Sequence, residues 1–415
     1  MSRSVKPTLS VLFCAFIECY DFLVYGNFSR IFSQMFFSHL TENFALALSF
    51  MSFAIAFFAR PFGSLLFGYI GDKYGRKTAL LGSAALLIMS VGGIAFLPLV
   101  GTIGILSPIL LIVFRILQGL SFAGEIGSVV LMAENVRNTR NISFLMGGHF
   151  MIAILGGAVG CFVFKLCYAF IPESHFYSWG WRVPFIIGLL MSLTLPFLRH
   201  SIEESREYLD YKNKKQISKV PILDVLSHYK RSCLITFIFM PFCNSLFYIF
   251  FVFLDVQRNV SLGGYALLVL TVIISCCIFS LVCRKYKATT VALCLQILFI
   301  VGVTPLVCFF GAKSIVTYFI MAFSLGMCST PLAAIIMLLF PVNVRQTGYS
   351  VSCSIAIGCF GVITPAVFLW LVNVTQLDIS PVFCVDFYAL ISLYGFYCLK
   401  RNERVIEYEK AFDGV

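Results

Sequence analysis

Two carboxylates stand three residues apart in an otherwise apolar run, Glu18-Cys-Tyr-Asp21-Phe-Leu-Val-Tyr25-Gly26. In a helix that spacing puts both on one face. Each costs about 2.5 to 3.5 kcal/mol at the centre of a bilayer unless it is solvated or paired, so acids in this setting mark an ion or substrate pathway. The plainer alternative is that one of them pairs with a buried arginine and only holds helices together. Two arginines are available in similar surroundings. Arg60 lies two to three turns before a charged turn, and Arg115 opens Arg115-Ile-Leu-Gln118-Gly119-Leu-Ser-Phe-Ala-Gly124-Glu125. Arg115 and Gln118 share a face, and Gly119 lets another helix approach there. Glu125 is nearly three turns from Arg115, too far for a bridge between them within one helix. The apolar inventory is thus Glu18, Asp21 and Glu125 against Arg60 and Arg115, which leaves one acid to take up and release a proton. The arginines either fix the acids or hold a substrate carboxylate. Tyr20, Tyr25, Gln118, Asn244 and Tyr248 are further polar candidates for lining a cavity, and His149 is either a hydrogen-bonded filler or a proton relay.

The elements that carry these residues follow from composition. The 415 residues are 60% hydrophobic and 12% charged, with mean hydropathy +0.94, against roughly 25% charge in water-soluble domains. At about 20 apolar residues per crossing, the length predicts roughly twelve membrane helices. They run from about Leu9, Ala45, Thr78, Ile105, Phe144 and Trp179 in the first half, and from about Cys233, Tyr265, Thr290, Ile315, the stretch after Arg345, and Pro381 in the second. The first contains Glu18 and Asp21 and no small-residue cleavage site, and reads as a retained helix rather than a signal peptide. Most Lys and Arg fall in alternate loops, which predicts that those loops and both termini are cytoplasmic. The net charge of +11 is therefore a membrane-topology signal and not a nucleic-acid surface. The sixteen cysteines are scattered through apolar segments without metal-ligand spacing and read as small hydrophobes, so neither a metal nor a cofactor is expected. With no nucleophile and base pair or phosphate loop on a polar segment, an enzyme is not expected either.

The charged turn is Arg60-Pro-Phe-Gly-Ser-Leu-Leu-Phe-Gly68-Tyr-Ile-Gly-Asp72-Lys73-Tyr-Gly75-Arg76-Lys77. Any basic hairpin would account for its lysines and arginines, but not for an acid followed by Gly-Arg-Lys at this spacing. Gly68-x-x-x-Asp72-Lys73-x-Gly75-Arg76-Lys77 resembles the loop between the second and third helices of the major facilitator superfamily. The Arg115-x-x-Gln118-Gly119 run resembles a fourth-helix motif of its proton-coupled members. Glu18-x-x-Asp21-Phe-x-x-Tyr25-Gly26, Arg60-Pro-x-Gly63, Gly124-Glu125, Trp179-Gly-Trp181-Arg182-x-Pro184-Phe185 and Leu198-Arg199-His200-x-Ile-Glu203-Glu204-Ser205 together are similar to the metabolite:proton symporter family, which includes proline/betaine and α-ketoglutarate symporters.

The resemblance implies an all-α polytopic membrane protein, with twelve transmembrane helices in two pseudo-symmetric six-helix bundles. Its expected divisions are residues 1–198, a cytoplasmic linker 199–231, residues 232–399, and a short tail 400–415. It implies a cytoplasmic gate built from Gly68, Asp72, Gly75, Arg76, Glu134, Arg137 and Arg345, the last in Phe340-Pro341-Val-Asn-Val-Arg345, which resembles the family segment before the eleventh helix. It implies alternating-access symport of protons with a small polar metabolite, a compatible solute such as proline or betaine or a carboxylate such as α-ketoglutarate or citrate. The setting would be a bacterial inner membrane and the protein a monomer. Symmetry predicts a second charged turn after helix 8, yet Ser280-Leu-Val-Cys-Arg284-Lys285-Tyr-Lys287 has Ser280 for the first glycine and Arg284 for the acid. The leading mechanistic rival is a proton-independent facilitator or exchanger, and the departure adds a rival of another class, a sensor that binds without transport. The Trp179-Trp181 pair is expected as an anchor at the membrane surface, the lysines at 212, 214, 215 and 219 as a solvated linker that hugs the lipid surface, and the tail without an osmosensing extension.

Overall fold

The computed structural model describes residues 5–38, 40–135, 140–200, 202–249, 262–312, 314–400, 402 and 405. Arg137, the predicted end of the seventh span and nearly all of the tail lie outside the described residues. Every long element is helical. In the first half these are α1 (Val5–Phe36), α2 (Glu42–Tyr74), α3 (Arg76–Ala95), α4 (Leu106–Glu134), α5 (Arg140–Phe170) and α6 (Glu173–His200), the last with a π-helical turn at Phe176–Gly180. Two short helices follow, α7 (Arg206–Asn213) and α8 (Pro221–His228). Then come α9 (Lys230–Tyr248), α10 (Leu262–Lys285), α11 (Ala288–Phe310), α12 (Ile315–Leu338), α13 (Arg345–Thr375) and α14 (Ser380–Leu399). Among the described residues eleven helices are long and apolar enough to cross a membrane, and α9, with 19 residues, is the twelfth long segment. Several outrun the predicted spans: α2 has 33 residues, about 50 Å at 1.5 Å per residue, because its polar ends stay helical beyond the apolar stretch.

The chain forms two compact units. One comprises residues 1–128 and 152–204, the other residues 129–151 and 205–415. In the first, glycines set the helix spacing, because a missing Cβ lets backbones touch. A Cβ at Gly63 would strike the backbone of Leu120, and one at Gly119 the carbonyl of Ala56, so α2 and α4 cross in mutual contact. Gly156 lies against the backbone of Phe16 and Gly160 against that of Tyr20, drawing α5 onto α1. At one end of this unit Phe28, Phe32, Phe36, Trp181 and Phe185 form a buried aromatic core, with Trp181 edge-on to Phe32 and Phe36 at 5.6 Å. Trp181 is therefore core rather than the surface anchor expected from its position. Trp179, two residues earlier, is the exposed one.

Between α2 and α3 the chain turns on the single residue Gly75, at φ +117°, a conformation closed to side chains at low cost. In the second unit Gly326 of α12 meets the backbone of α10 at Val272 and Cys276. Phe239 of α9 packs against Phe396 of α14 with ring centroids 4.9 Å apart and the planes tilted by 57°. Polar links tie α11 to α14: Thr304 Oγ1 donates to Asp386 at 2.8 Å, and Gln296 donates to Ser392 at 2.9 Å.

Candidate functional site

The first unit holds a narrow cleft lined by Glu18 and Phe22 of α1, Ala56 and Arg60 of α2, Leu87 of α3, and Arg115, Gln118, Gly119, Ser121 and Phe122 of α4. Four residues singled out from sequence, Glu18, Arg60, Arg115 and Gln118, thus converge from three helices. The close crossing of α2 and α4 at Gly63 and Gly119 is what brings the two arginines to one space. Neither would reach it if those backbones were held apart by side chains.

Each arginine is fixed by aromatic rings. The Arg60 guanidinium lies 3.7 Å from the centroid of Phe122, 4.4 Å from Phe57 and 5.5 Å from Phe22. That of Arg115 lies 3.7 Å over Tyr25, donates to Gln118 Oε1 at 2.5 Å, and reaches the carbonyls of Ser52 and Phe53 at 3.3 Å. Stacking occupies the faces of a guanidinium and leaves its in-plane N–H groups for carboxylate or carbonyl oxygens. Tyr25 is therefore a support for Arg115, held by a 2.6 Å hydrogen bond with Ser52, and not a member of the lining. Tyr20 likewise turns away, donating to the carbonyl of Pro184 at 2.9 Å.

Asp21, one turn from Glu18, is buried at 1% exposure and faces Gly188 of α6. Neither of its carboxylate oxygens has a hydrogen-bond partner among the described residues, and the same holds for Oε1 of Glu18. Buried polar atoms are usually satisfied. These two acids are among the exceptions, and a migrating proton or a bound ligand would satisfy them.

Glu125 has a different setting. It forms an ion pair with Arg199, whose guanidinium is fully buried and also donates to the carbonyl of Leu80 and to Ser83 Oγ of α3. Sequence reasoning put Arg199 at the start of a solvated linker, and so missed a further buried arginine. The available signal was its place directly after the apolar Leu195-Pro-Phe-Leu198, still within helical reach of the bundle. At the same end Arg76 donates to Asp72 at 2.6 Å and to the carbonyl of Gly71 at 2.7 Å, both side chains fully buried. Lys77 adds its backbone N–H to Glu204 at 3.2 Å and its Nζ to the His200 carbonyl at 2.6 Å, stapling the Gly68-to-Lys77 turn to the end of α6.

In the second unit Glu134 accepts from Ser205 Oγ at 2.6 Å and pairs with Arg345 at 3.4 Å, while Arg345 also meets Glu207 of α7 at 3.1 Å. Asn244 is half-buried with its amide nitrogen unsatisfied among the described residues, and Tyr248 is buried beside Gly361 of α13. His149 is half-buried on α5. After α10, Ser280 bonds back to the carbonyl of Cys276 at 2.6 Å and packs against Gly147 of α5, and Arg284 is exposed near Phe144. The second turn thus has a packing serine where the first has a glycine, and Arg284 stands at the position of the acid.

Residues 12–365 match the profile of the Major Facilitator Superfamily. This chain belongs to that superfamily. It is 30% identical over 389 residues to the inner membrane metabolite transport protein YhjE of Escherichia coli (strain K12), covering 88% of this chain and 87% of the relative. It is 24% identical over 398 residues to the proline/betaine transporter of the same strain, covering 91% and 79%. Among solved structures, the proton:xylose symporter XylE of E. coli superposes with TM-score 0.74 at 16% identity, over 95% of both chains. The E. coli fucose:proton symporter FucP superposes with TM-score 0.67 at 10% identity, over 95% and 98%. The major facilitator fold and a role in membrane transport, not enzymatic turnover, follow from these matches together.

Proposed function

We propose that this facilitator-superfamily transporter carries a small polar metabolite together with protons, by alternating access of two six-helix halves. The observation that carries the reading is the cleft uniting Glu18 with Arg60, Arg115 and Gln118, one helical turn from the buried Asp21, whose carboxylate has no hydrogen-bond partner among the described residues. Two stacked guanidinium groups suit a substrate carboxylate. An acid in the same cleft suits either a cationic centre on that substrate or a proton. Ionised carboxylates in an apolar bundle are costly and protonated ones are not, so loading Glu18 or Asp21 with a proton changes which state of the carrier is favoured. Glu125 is occupied by Arg199 and is assigned to the scaffold. Asn244 and Tyr248 are proposed to line the substrate path from the second half. Asp72 with Arg76, and Glu134 with Arg345, are proposed as components of the cytoplasmic gate, in a bacterial inner membrane with both termini inside. The relatives named for metabolite and proline/betaine transport support this substrate class.

The test is uptake by proteoliposomes of labelled proline, glycine betaine, α-ketoglutarate and citrate, with and without an inward proton gradient. Gradient-driven accumulation of one compound is the expected result. Equilibration that ignores the gradient would replace symport by facilitated transport. Specific binding with no uptake would support a sensor, the reading favoured by the altered turn after α10.

A further inference from the structure

The segment between the halves carries a surface that the transport site does not use. We infer that α8 is an interfacial helix that docks on an anionic lipid surface, with Leu223 and Leu226 inserted among the lipids and the neighbouring lysines on their headgroups. On α8, Pro221 and Val225 are buried, and the helix packs against residues 342–344 and the start of α13. Its other side presents Leu223 at 61% exposure and Leu226 at 52%, next to Val220 at 43%. These residues fall at intervals of three, so they form one apolar strip.

The position of that strip is set by the chain. Only Tyr229 separates His228, the end of α8, from Lys230, the start of α9, and Arg231 donates to the carbonyl of Cys398, in the last turn of α14, at 2.9 Å. The end of α8 is thus level with the ends of two membrane helices, where lipid headgroups lie. Lys219, Lys230 and Arg231 flank α8 in the chain and Lys212, Lys214 and Lys215 precede it by less than ten residues, all of them exposed. The nearby acids are largely committed elsewhere: Asp224 accepts from Ser218 at 2.5 Å and Glu207 pairs with Arg345, while Asp210 is exposed. An apolar strip rimmed by lysines at headgroup level is the pattern of a helix lying in an anionic interface. A soluble partner would have no reason to meet the strip at that depth. The lipid leaflet concerned is the cytoplasmic one if the proposed orientation holds, but the docking itself does not depend on it.

The experiment uses the full chain carrying Leu223→Trp, reconstituted in vesicles of neutral phosphatidylcholine or with about 30% phosphatidylglycerol. Emission added over the parent chain is read with brominated lipids and with acrylamide. In the anionic vesicles, bromolipid is expected to quench the added emission by about half, and acrylamide to have little effect. The quenching is expected to weaken in about 0.5 M salt, and in the chain that also carries K212Q, K214Q, K215Q and K219Q. Acrylamide quenching without bromolipid quenching overturns the proposal. So does a Trp shielded from both, which would indicate a protein partner or a second copy. Equal bromolipid quenching in neutral and anionic vesicles, unmoved by salt, overturns the recognition of anionic lipid.

Discussion

The buried pair of Glu125 and Arg199 permits a test that separates scaffold from chemistry. Arg199 is fully enclosed and joins α6 to both α3 and α4 through Leu80, Ser83 and Glu125. Replacing Glu125 by Gln keeps the volume but strands a guanidinium in the bundle. Removing one member of a buried pair costs about 3 to 5 kcal/mol, a factor of roughly 10² to 10⁴ in the unfolding equilibrium at 1.36 kcal/mol per decade. Arg199→Met strands the carboxylate instead and is expected to cost a similar amount. The double variant leaves no stranded charge, and replacing a buried pair by uncharged groups is often close to neutral. Its loss should therefore fall short of the sum of the single losses by at least about 2 kcal/mol. The assay is equilibrium unfolding in mixed micelles, followed by the fluorescence of Trp181, which is buried in the aromatic core of the same unit. Losses below about 1 kcal/mol for either single variant, or a double variant as damaged as the sum, would refute the assignment. Uptake supplies the second reading: a double variant that folds and still accumulates substrate on a proton gradient leaves Glu125 a scaffold residue, whereas one that folds and no longer couples would return it to proton handling.

Further expectations follow from individual contacts. Gly119→Ala places a methyl group on the Ala56 carbonyl, backbone that cannot step aside, so a loss of about 1 to 3 kcal/mol is expected; Gly148→Ala, with nothing within 4 Å, is the matched control for melting in detergent. Gly75→Ala holds a side chain at φ +117° and should cost about 1 to 3 kcal/mol, read by the same melting experiment. Asp21→Asn is expected to leave substrate counterflow intact while abolishing accumulation on a proton gradient; unchanged accumulation would exclude Asp21 from coupling. Arg115→Lys loses both the stacking on Tyr25 and the bond geometry to Gln118, and should raise the apparent KM at least tenfold, about 1.4 kcal/mol, with an unchanged KM speaking against substrate contact.

Much of this protein is legible without coordinates. Membrane helices announce themselves because every backbone polar group must be satisfied inside the segment and every lipid-facing side chain must be apolar. Those constraints act along a single stretch of chain, and composition and hydropathy report them directly. The Gly68-to-Lys77 turn is legible for the same reason, since its glycines and charges act within a few residues. The placement of Glu18, Arg60, Arg115 and Gln118 inside the membrane could also be read locally, because an ionic side chain in an apolar run has to face protein.

What each buried group touches could not be read that way. Glu125 and Arg199 are 74 residues apart, and their pairing depends on where α4 and α6 end relative to α3. Tyr25 lies within about 20° of Glu18 around α1, yet its bond to Ser52 makes it a support instead of lining, while Tyr20, on the far side of the helix, bonds to the carbonyl of Pro184. Trp181 and Trp179 have near-identical sequence surroundings and opposite exposures, decided by which one the π-helical turn directs into the aromatic core. Chemistry and membrane residence were properties of the sequence because each is enforced residue by residue. Partner choice among buried charges was decided only by tertiary structure, because it turns on helix packing that brings together segments far apart in the chain, as where Gly63 and Gly119 let α2 and α4 carry Arg60 and Arg115 to one cleft.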